Sequence, residues 1–220
     1  AMGCRGNDPR FFNNLEKLGG KTEVFFGSKI PFVNLRMNYR NHRKIMVVDA
    51  KVAYLGGFNI GDEYLGKGEL GEWRDTHMKI EGNAVLTLQS RFFMDWNAVA
   101  KEKNRKDYAE AYFPIADKKG NTAMQIVASG PDDEDQTIKM GFLKMISQAK
   151  ESIYIQTPYF IPDESLHEML KIAVLSGVKV KIMIPSKPDH PFVYRATEYF
   201  AKDIVEYGAE VYMYQNGFLH

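Results

Sequence analysis

A histidine, a lysine and an aspartate follow one another at fixed intervals in the segment NHRKIMVVD. The pattern is His42-x-Lys44-x4-Asp49. Side chains alternate along an extended chain, so His42 and Lys44 fall on the same side. An imidazole beside a fixed cation is a poor metal site, but it suits an anionic phosphoryl group. The cation can stabilise charge on the phosphoryl oxygens while the imidazole attacks phosphorus.

A glycine pair and an amide come next, in the order Gly56-Gly57-x-Asn59. The glycines allow a close approach of the backbone, and the segment ends on an amide side chain. The β-rich runs 44–48 and 52–55 flank Asp49, which predicts a β-hairpin between the histidine and the glycines. The hairpin would carry this chemistry on a rigid support.

A second histidine, His220, follows a segment that resembles the one leading to His42. FNNLEKLGGKTEVFF, residues 12–26, and FAKDIVEYGAEVYMY, residues 200–214, both read as a helix, a glycine stop and a short strand. Each is followed by a loop that leads to a histidine. This is a weak repeat in sequence, but the order of its elements is clear. It predicts that His220 corresponds to His42.

Hydrophobic periodicity predicts an α/β protein. In the second part, strands and helices alternate, which requires crossover connections and favours a largely parallel sheet covered on both faces. Those strands are predicted at 124–128, 153–156, 178–184 and 211–214, and the helices at 138–149, 166–175 and 193–207. Upstream, we predict a helix at 11–18, strands at 23–26 and 74–80, a helix at 84–100 and a charged linker at 101–121.

Composition excludes several classes of protein. The 29 basic and 28 acidic residues give a net charge of +1, which is not the strongly basic footprint of a nucleic-acid-binding protein. The single cysteine excludes an intrachain disulfide and a cysteine-based metal cluster. No apolar run reaches the roughly 18 residues that would cross a bilayer.

These residues resemble the HKD motif of the phospholipase D superfamily. A lone H-x-K-x4-D would be a weak signal, but G-G-x-N follows it within a strand–turn–strand context. Further segments resemble bacterial cardiolipin synthases with two HKD motifs, and the resemblance runs from about Phe11 to His220. These segments are NYRNHRK, GGFNIGDEYLG, EWRDTHMKIEG, QTPYFIPDESL, IPSKPDHPFVY and NGFLH.

The resemblance implies a double displacement at one phosphodiester. One motif histidine forms a phosphohistidine, and the other protonates the leaving alcohol and then activates the acceptor. We assign His42 as nucleophile and His220 as general acid and base, with the reverse assignment left open. Lys44 and Asn59 would hold phosphate oxygens, and Gly57 would lie at the substrate. The family needs neither a metal nor an organic cofactor.

Two carboxylates remain to be placed. Asp49 is grouped with the catalytic residues of the family, but its odd spacing from Lys44 favours a structural or indirect role. A nucleophilic histidine needs a carboxylate on its second nitrogen, which sets the tautomer and stabilises the imidazolium. Asp75 is our candidate for that task. The alternative is that Asp75 caps the backbone or pairs with Arg74 or Arg40.

Other polar residues have ordinary explanations beside functional ones. Tyr159 follows a strand at the carboxyl edge of the sheet, where α/β proteins bind ligands, so it either touches substrate or packs. His77 reads as a hydrogen-bonded structural residue and His167 as solvent-facing. His190 either touches a substrate headgroup or caps a loop.

The leading function implied by the resemblance is cardiolipin synthesis, in which one phosphatidylglycerol donates its phosphatidyl group to another and glycerol leaves. Alternatives are a phospholipase D-type hydrolase, a nuclease, and an inactive fragment of the synthase. The expected partners are phosphatidylglycerol and an anionic membrane surface, with no nucleic acid. We expect a peripheral location at the bacterial cell membrane, with any membrane-spanning helices of the full-length protein outside this chain.

The expected architecture is a phospholipase D-like fold of two pseudo-repeated lobes, both incomplete. Residues 1–121 would form the C-terminal portion of the first lobe with its motif and a linker. Residues 122–220 would form the N-terminal portion of the second lobe, ending at its motif histidine. Because no lysine and aspartate follow His220, we expect little or no activity from these 220 residues alone.

Overall fold

The structure is a computed structural model, and it describes residues 8, 10–26, 40–115, 117–131 and 133–220. The chain divides into two compact units. The first comprises the described residues of Ala1–Gly56 with His77–Ile126, and the second comprises Gly57–Thr76 with Val127–His220. The segment Gly57–Thr76 therefore belongs to the second unit, whereas the predicted division leaves it in the first lobe.

The described residues form five α-helices and eight β-strands. The helices are α1 Asn13–Lys17, α2 Ala84–Val99, α3 Thr137–Gln148, α4 Glu164–Leu175 and α5 Pro191–Glu206. The strands are β1 Lys44–Val48, β2 Val52–Gly56, β3 Glu72–Arg74, β4 His77–Glu81, β5 Ser152–Gln156, β6 Lys179–Pro185, β7 Glu210–Tyr214 and β8 Gly217–Leu219. Short 3-10 helices lie at Asp62–Leu65, Glu102–Asn104 and Glu110–Tyr112.

The first unit is built on the predicted hairpin. β1 and β2 pair antiparallel, and β4 extends the sheet in the order β1-β2-β4. Asp49 and Ala50 occupy the turn with φ of 52° and 54°, as the two central residues of a hairpin turn with left-handed backbone require. One face of the sheet packs on α2 through Ala53, Ile80 and Leu88. This core fixes the strand that follows His42.

The segment predicted as a linker is packed against α2 instead. The Phe93 ring lies 5.4 Å from Tyr108, 5.3 Å from Tyr112 and 5.4 Å from Phe113, measured between ring centroids. The Asn97 side chain also exchanges two hydrogen bonds with the backbone of Lys106, each 2.8 Å. Aromatic residues spaced through a charged stretch therefore outweigh its polar composition.

The second unit contains the predicted parallel sheet. The strands lie in the order β5-β6-β7, connected through α4 and α5. Its centre is β6, where Val180, Ile182 and Ile184 are buried, and α4 and α5 contribute Leu170 and Ile204. The α/β class is confirmed. The parallel sheets lie in this unit, whereas the three-stranded sheet of the first unit is antiparallel.

A small parallel sheet in the second unit joins two distant segments. β3 pairs with β8, with Glu72 opposite Gly217 and Arg74 opposite Leu219. A side chain at Gly217 would meet the Glu72 carbonyl oxygen at 2.0 Å, so only glycine permits this approach. All three residues of β8 are buried. Because β8 ends at Leu219, this pairing fixes the position of the backbone directly before His220.

Three local predictions are wrong. Residues 23–26 and 124–128 form no strand, and the predicted strand 74–80 is interrupted at Asp75–Thr76 between β3 and β4. β-formers alone do not make a strand, because each strand needs a partner for its ladder. The similarity of the two segments before the histidines is correspondingly weaker, since α1 has five residues and no strand follows it within 23–26, whereas α5 leads into β7.

Candidate active site

The backbone of His220 continues the β3–β8 ladder. Its N–H donates to the carbonyl oxygen of Arg74 at 3.0 Å. The preceding Leu219 is buried, while the side chain of His220 keeps 21% of its surface exposed. The fold thus fixes the backbone and leaves part of the imidazole accessible.

Asp75 holds the imidazole of His220. Its Oδ2 lies 2.8 Å from Nδ1, and the Asp75 side chain is only 3% exposed. An ionised carboxylate only accepts hydrogen bonds, so Nδ1 carries the proton that it donates. Nε2 remains as the ring nitrogen that can exchange a proton with a substrate. The carboxylate predicted to serve the nucleophile His42 therefore bonds His220.

Gly57 makes room for this carboxylate. A Cβ at this position would lie 2.5 Å from Asp75 Oδ1 and 2.8 Å from Oδ2. The Gly57 N–H donates to the carbonyl oxygen of Thr76 at 3.2 Å, which holds the two segments together. The second glycine of the G-G pair is thus explained by its packing on Asp75, and its predicted contact with substrate stays a prediction.

Tyr64 also reaches the His220 ring, and sequence analysis missed it. Its hydroxyl oxygen lies 3.1 Å from Nδ1, and Asn59 Nδ2 donates to the same hydroxyl at 2.5 Å. The ring is buried, with centroids 4.7 Å from Phe58 and 5.1 Å from Trp73. Burial raises the pKa of the Tyr64 hydroxyl, which keeps it neutral. One amide donor of Asn59, predicted to hold phosphate, is therefore directed at Tyr64.

A cavity of about 150 Å³ opens beside His220 in the second unit. Arg74 and Asp75 bring opposite charges to its lining, and the volume suits a small polar group better than an acyl chain. Its walls are Gly57, Arg74, Asp75, Thr76, Gln156, Thr157, Leu219 and His220.

Tyr159 lies near this region, beyond the end of β5. Its hydroxyl donates to Asp189, and its ring centroid is 6.4 Å from that of Phe218. Burial, followed by the hydrogen bond to Asp189, raises the pKa of Tyr159. The Asp189 Oδ1 also accepts from the backbone N–H of His190 at 2.7 Å. Substrate contact by Tyr159 stays a prediction.

The first unit presents His42 with a different partner. Lys44 Nζ lies 2.8 Å from His42 Nδ1, 3.0 Å from Nε2 and 2.9 Å from the His42 carbonyl oxygen. An ammonium only donates hydrogen bonds, so a ring nitrogen facing it acts as an acceptor. His42 is therefore an exposed imidazole that accepts a hydrogen bond from the Lys44 ammonium.

The neighbours of His42 are anchored to α2. Asn41 Nδ2 donates to Asp95 Oδ2 at 3.0 Å, and Arg43 Nη1 donates to the same oxygen at 3.2 Å. Arg91 pairs with Asp95 from one turn earlier on the helix. Asn41 and Arg43 both reach Asp95, whereas His42 and Lys44 contact each other. None of these anchors was predicted, because Asp95 lies 54 residues from Asn41 in sequence.

Asp49 lies at the far end of β1. One strand residue spans about 3.3 Å, so the five residues of β1 separate Asp49 from Lys44 by roughly 16 Å. It is exposed and adopts the left-handed turn that an aspartate tolerates. This position agrees with the expected structural or indirect role, and a catalytic role for Asp49 stays a prediction.

The remaining histidines lie apart from these groups. His77 begins β4 opposite Gly56. His167 was predicted to face solvent, but it is buried, because α5 covers this face of α4 and places Asp203 Oδ2 3.2 Å from its Nε2. Within the described ranges, no three His, Cys, Asp or Glu side chains form a group that could hold a metal ion. In the same part of the chain, no helix has the length and apolarity to cross a bilayer.

Comparison with known proteins gives one consistent family. Residues 142–220 match the family model described as cardiolipin synthase, PLD-like domain. Cardiolipin synthase of Listeria welshimeri is 56% identical over 221 residues, covering all of this chain and 46% of the relative. The major cardiolipin synthase of Bacillus subtilis is 54% identical over 220 residues, with 45% of its length covered. The chain thus spans less than half the length of these curated relatives.

A solved structure gives the same fold at lower similarity. The crystal structure of phosphatidylserine synthase from Haemophilus influenzae superposes with a TM-score of 0.51 at 18% sequence identity. The match covers 81% of this chain and 50% of that one. At this identity the match concerns the fold, which is confirmed as phospholipase D-like.

Proposed function

Because the chain belongs to the phospholipase D-like family of cardiolipin synthases, we propose that it carries catalytic residues for phosphatidyl transfer through a phosphohistidine. The reaction would convert two molecules of phosphatidylglycerol into cardiolipin and glycerol. The observation that carries the proposal is the pair of differently partnered histidines, His42 beside an ammonium and His220 beside a carboxylate. The whole protein's substrates are part of this proposal.

In the first half-reaction, a ring nitrogen of His42 attacks phosphorus and the bond from phosphorus to the glycerol oxygen breaks. Nε2 of His220 gives its proton to that oxygen, so glycerol leaves as a neutral alcohol. Asp75 stabilises the charged ring before the transfer. Lys44, released from the His42 ring, stabilises charge on the phosphoryl oxygens.

In the second half-reaction, Nε2 of His220 takes the proton from a hydroxyl of a second phosphatidylglycerol. The deprotonated hydroxyl oxygen attacks phosphorus, and the bond from phosphorus to the His42 nitrogen breaks. The histidines return to their starting states, so the protons balance over the cycle. The proposal requires both histidines to act on one phosphodiester.

Two features support an anionic lipid as substrate. The small cavity beside His220 has Arg74 in its lining, a residue type that binds phosphodiesters. The 54–56% identity to cardiolipin synthases supports a glycerol hydroxyl, rather than water, as the acceptor. We propose a peripheral location at an anionic membrane surface, where both substrates reside.

The test is a chimera in which this chain replaces the matched residues of the Bacillus subtilis cardiolipin synthase. Vesicles of phosphatidylglycerol are added, and lipid products are separated and quantified. We expect cardiolipin with stoichiometric glycerol. Phosphatidic acid without cardiolipin would instead assign the hydrolase alternative, and the same vesicles with the 220 residues alone test the expected low activity of this chain.

A further inference from the structure

Tyr64 lies beside the histidine–carboxylate pair, within the segment GGFNIGDEYLG, but the sequence assigned it no role there. Its hydroxyl is 3.1 Å from Nδ1 of His220, and Asp75 Oδ2 is 2.8 Å from the same nitrogen. Nδ1 carries a single hydrogen, and its main hydrogen bond is to the carboxylate, because a charged acceptor is stronger than a hydroxyl. The Tyr64 oxygen is thus a second, weaker acceptor for the same N–H group.

We propose that Tyr64 is a positioning residue for His220, which deepens the proposed function and rests on it for the activity readout. A ring held by one hydrogen bond can still pivot about the line that joins Nδ1 to the carboxylate. A second contact from a different direction removes that freedom. It also favours the tautomer with hydrogen on Nδ1, which leaves Nε2 for the substrate.

The contacts of Tyr64 show why its hydroxyl is fixed. Asn59 Nδ2 donates to the hydroxyl at 2.5 Å, and the phenol ring is 8% exposed. The Tyr64 ring meets the His220 ring edge-on, with centroids 5.6 Å apart and planes at 86°. Trp73 lies along the imidazole at 5.7 Å with planes at 38°. The rings of Tyr64 and Trp73 together restrict the plane of the His220 ring.

A purely structural role for Tyr64 is the competing explanation. A buried hydroxyl must be hydrogen-bonded in any case, and its two bonds could serve only to satisfy it. The explanations differ in what happens at His220 when the hydroxyl alone is removed. A structural tyrosine would lower the stability of the fold without altering the imidazole.

The direct measurement is nitrogen-15 NMR of the histidine-labelled 220-residue chain, with His220→Gln to assign the signals. Tyr64→Phe keeps the ring and removes the hydroxyl. We expect faster exchange of the Nδ1 hydrogen of His220 with water and a smaller population of the Nδ1–H tautomer. The matched control is Tyr194→Phe, which removes a half-buried tyrosine hydroxyl bonded to the Ser186 carbonyl oxygen at 3.2 Å.

The same two variants are then assayed in the chimera. Tyr64→Phe is expected to lower kcat by roughly three- to tenfold with KM unchanged, the effect of one lost hydrogen bond. Tyr194→Phe should leave both constants near wild type. If Tyr64→Phe does not fold, Asn59→Ala provides the NMR readout, because it removes the donor that fixes the hydroxyl.

The outcomes separate the two proposals. Identical Nδ1 exchange and tautomer populations in Tyr64→Phe and Tyr194→Phe would overturn the positioning role, whatever the chimera does. An NMR difference without cardiolipin formation by the wild-type chimera would support the positioning role and refute the proposed function.

Discussion

The two histidine regions differ in what holds each imidazole. His42 is exposed beside the Lys44 ammonium, and its chain neighbours are anchored to α2 through Asp95. His220 is largely buried, and its Nδ1 faces the Asp75 carboxylate and the Tyr64 hydroxyl. An ammonium neighbour favours a neutral ring with a lone pair, whereas a carboxylate stabilises a ring that carries a proton. The comparison supports a nucleophile in the first region and a proton-transfer group in the second.

Replacing each histidine is the strongest way to break this comparison, and we expect the largest effects here. In the chimera, His42→Gln should abolish turnover and the acid-labile phosphatidyl–enzyme adduct. His220→Gln should lower kcat by roughly 100- to 10,000-fold, the range for loss of a general acid or base. Radiolabelled donor lipid and quenched-flow trapping measure the adduct.

A donor with an acidic leaving group sharpens the same test. Such a leaving group needs no proton, so phosphatidyl-p-nitrophenol should restore adduct formation in His220→Gln but not in His42→Gln. Restoration in His42→Gln alone would establish the reverse assignment of the two histidines.

Asp75→Asn tests the carboxylate half of the comparison. An amide can donate to Nδ1 and so move the ring hydrogen to Nε2, which is the unproductive tautomer. We expect kcat to fall roughly 100- to 10,000-fold while the fold remains. The control is Asp163→Asn, at a helix N-cap of the same unit, where asparagine caps equally well. An equal loss of activity in both variants would refute the orienting role of Asp75.

Gly57→Ala tests whether the glycine is needed because it leaves space for the Asp75 carboxylate. The added Cβ would lie 2.5 Å from Oδ1 of a carboxylate that is nearly fully buried, so the carboxylate must shift. A displacement of this kind should lower kcat roughly tenfold to 100-fold. Gly141→Ala is the control, since no atom lies within 4 Å of its added Cβ and α3 should gain about 1 kcal/mol. Full activity of Gly57→Ala would show that Asp75 tolerates the shift.

The smallest effect is expected at His167, a third histidine that also has a carboxylate neighbour. Burial lowers its pKa, Lys171 lowers it further, and Asp203 only partly offsets them. Below the ordinary histidine pKa of about 6.5, the unfolded chain therefore binds more protons than the folded one, so the free energy of unfolding falls as pH decreases. His167→Gln should flatten this dependence in urea titrations between pH 5 and 7.5.

Asp203→Asn is the matched variant for this measurement. It removes the neighbour that raises the pKa of His167, so the pH dependence should persist or steepen. A flattened dependence in Asp203→Asn would contradict the assignment. The two variants thus separate the effect of burial from that of a carboxylate contact.

Much of the fold could be predicted because its signals are local. The hairpin around Asp49, the helix 84–99 and the alternating elements from β5 to β7 follow from periodicity and glycine stops. The three-residue strands β3 and β8 show no period, and their pairing joins segments far apart in sequence. The prediction of a strand at 23–26 is wrong for the opposite reason: the residues favour a strand, but the segment pairs with no other strand in the described part of the chain.

The site follows the same division. Motif spacing predicts His42 and Lys44 as site residues, the weak repeat predicts His220, and chemical reasoning predicts Asp75 as an orienting carboxylate. We expected Asp75 to serve His42, whereas its contact is with His220, 145 residues away in sequence, and depends on the β3–β8 pairing. Tyr64 lies in a glycine-rich loop without periodicity, so only the contact with Nδ1 distinguishes it from other aromatic residues.

The β3–β8 pairing also bears on the order in which the molecule folds. Contacts between distant segments carry a loop-closure cost that local hairpins and helices avoid, so they tend to form late. We therefore expect the hairpin and the β5–β7 crossovers to appear before His220 meets Asp75. During refolding, protection of backbone amides in β6 should precede protection of the His220 amide, so the surroundings of His220 would mature after the core of the parallel sheet.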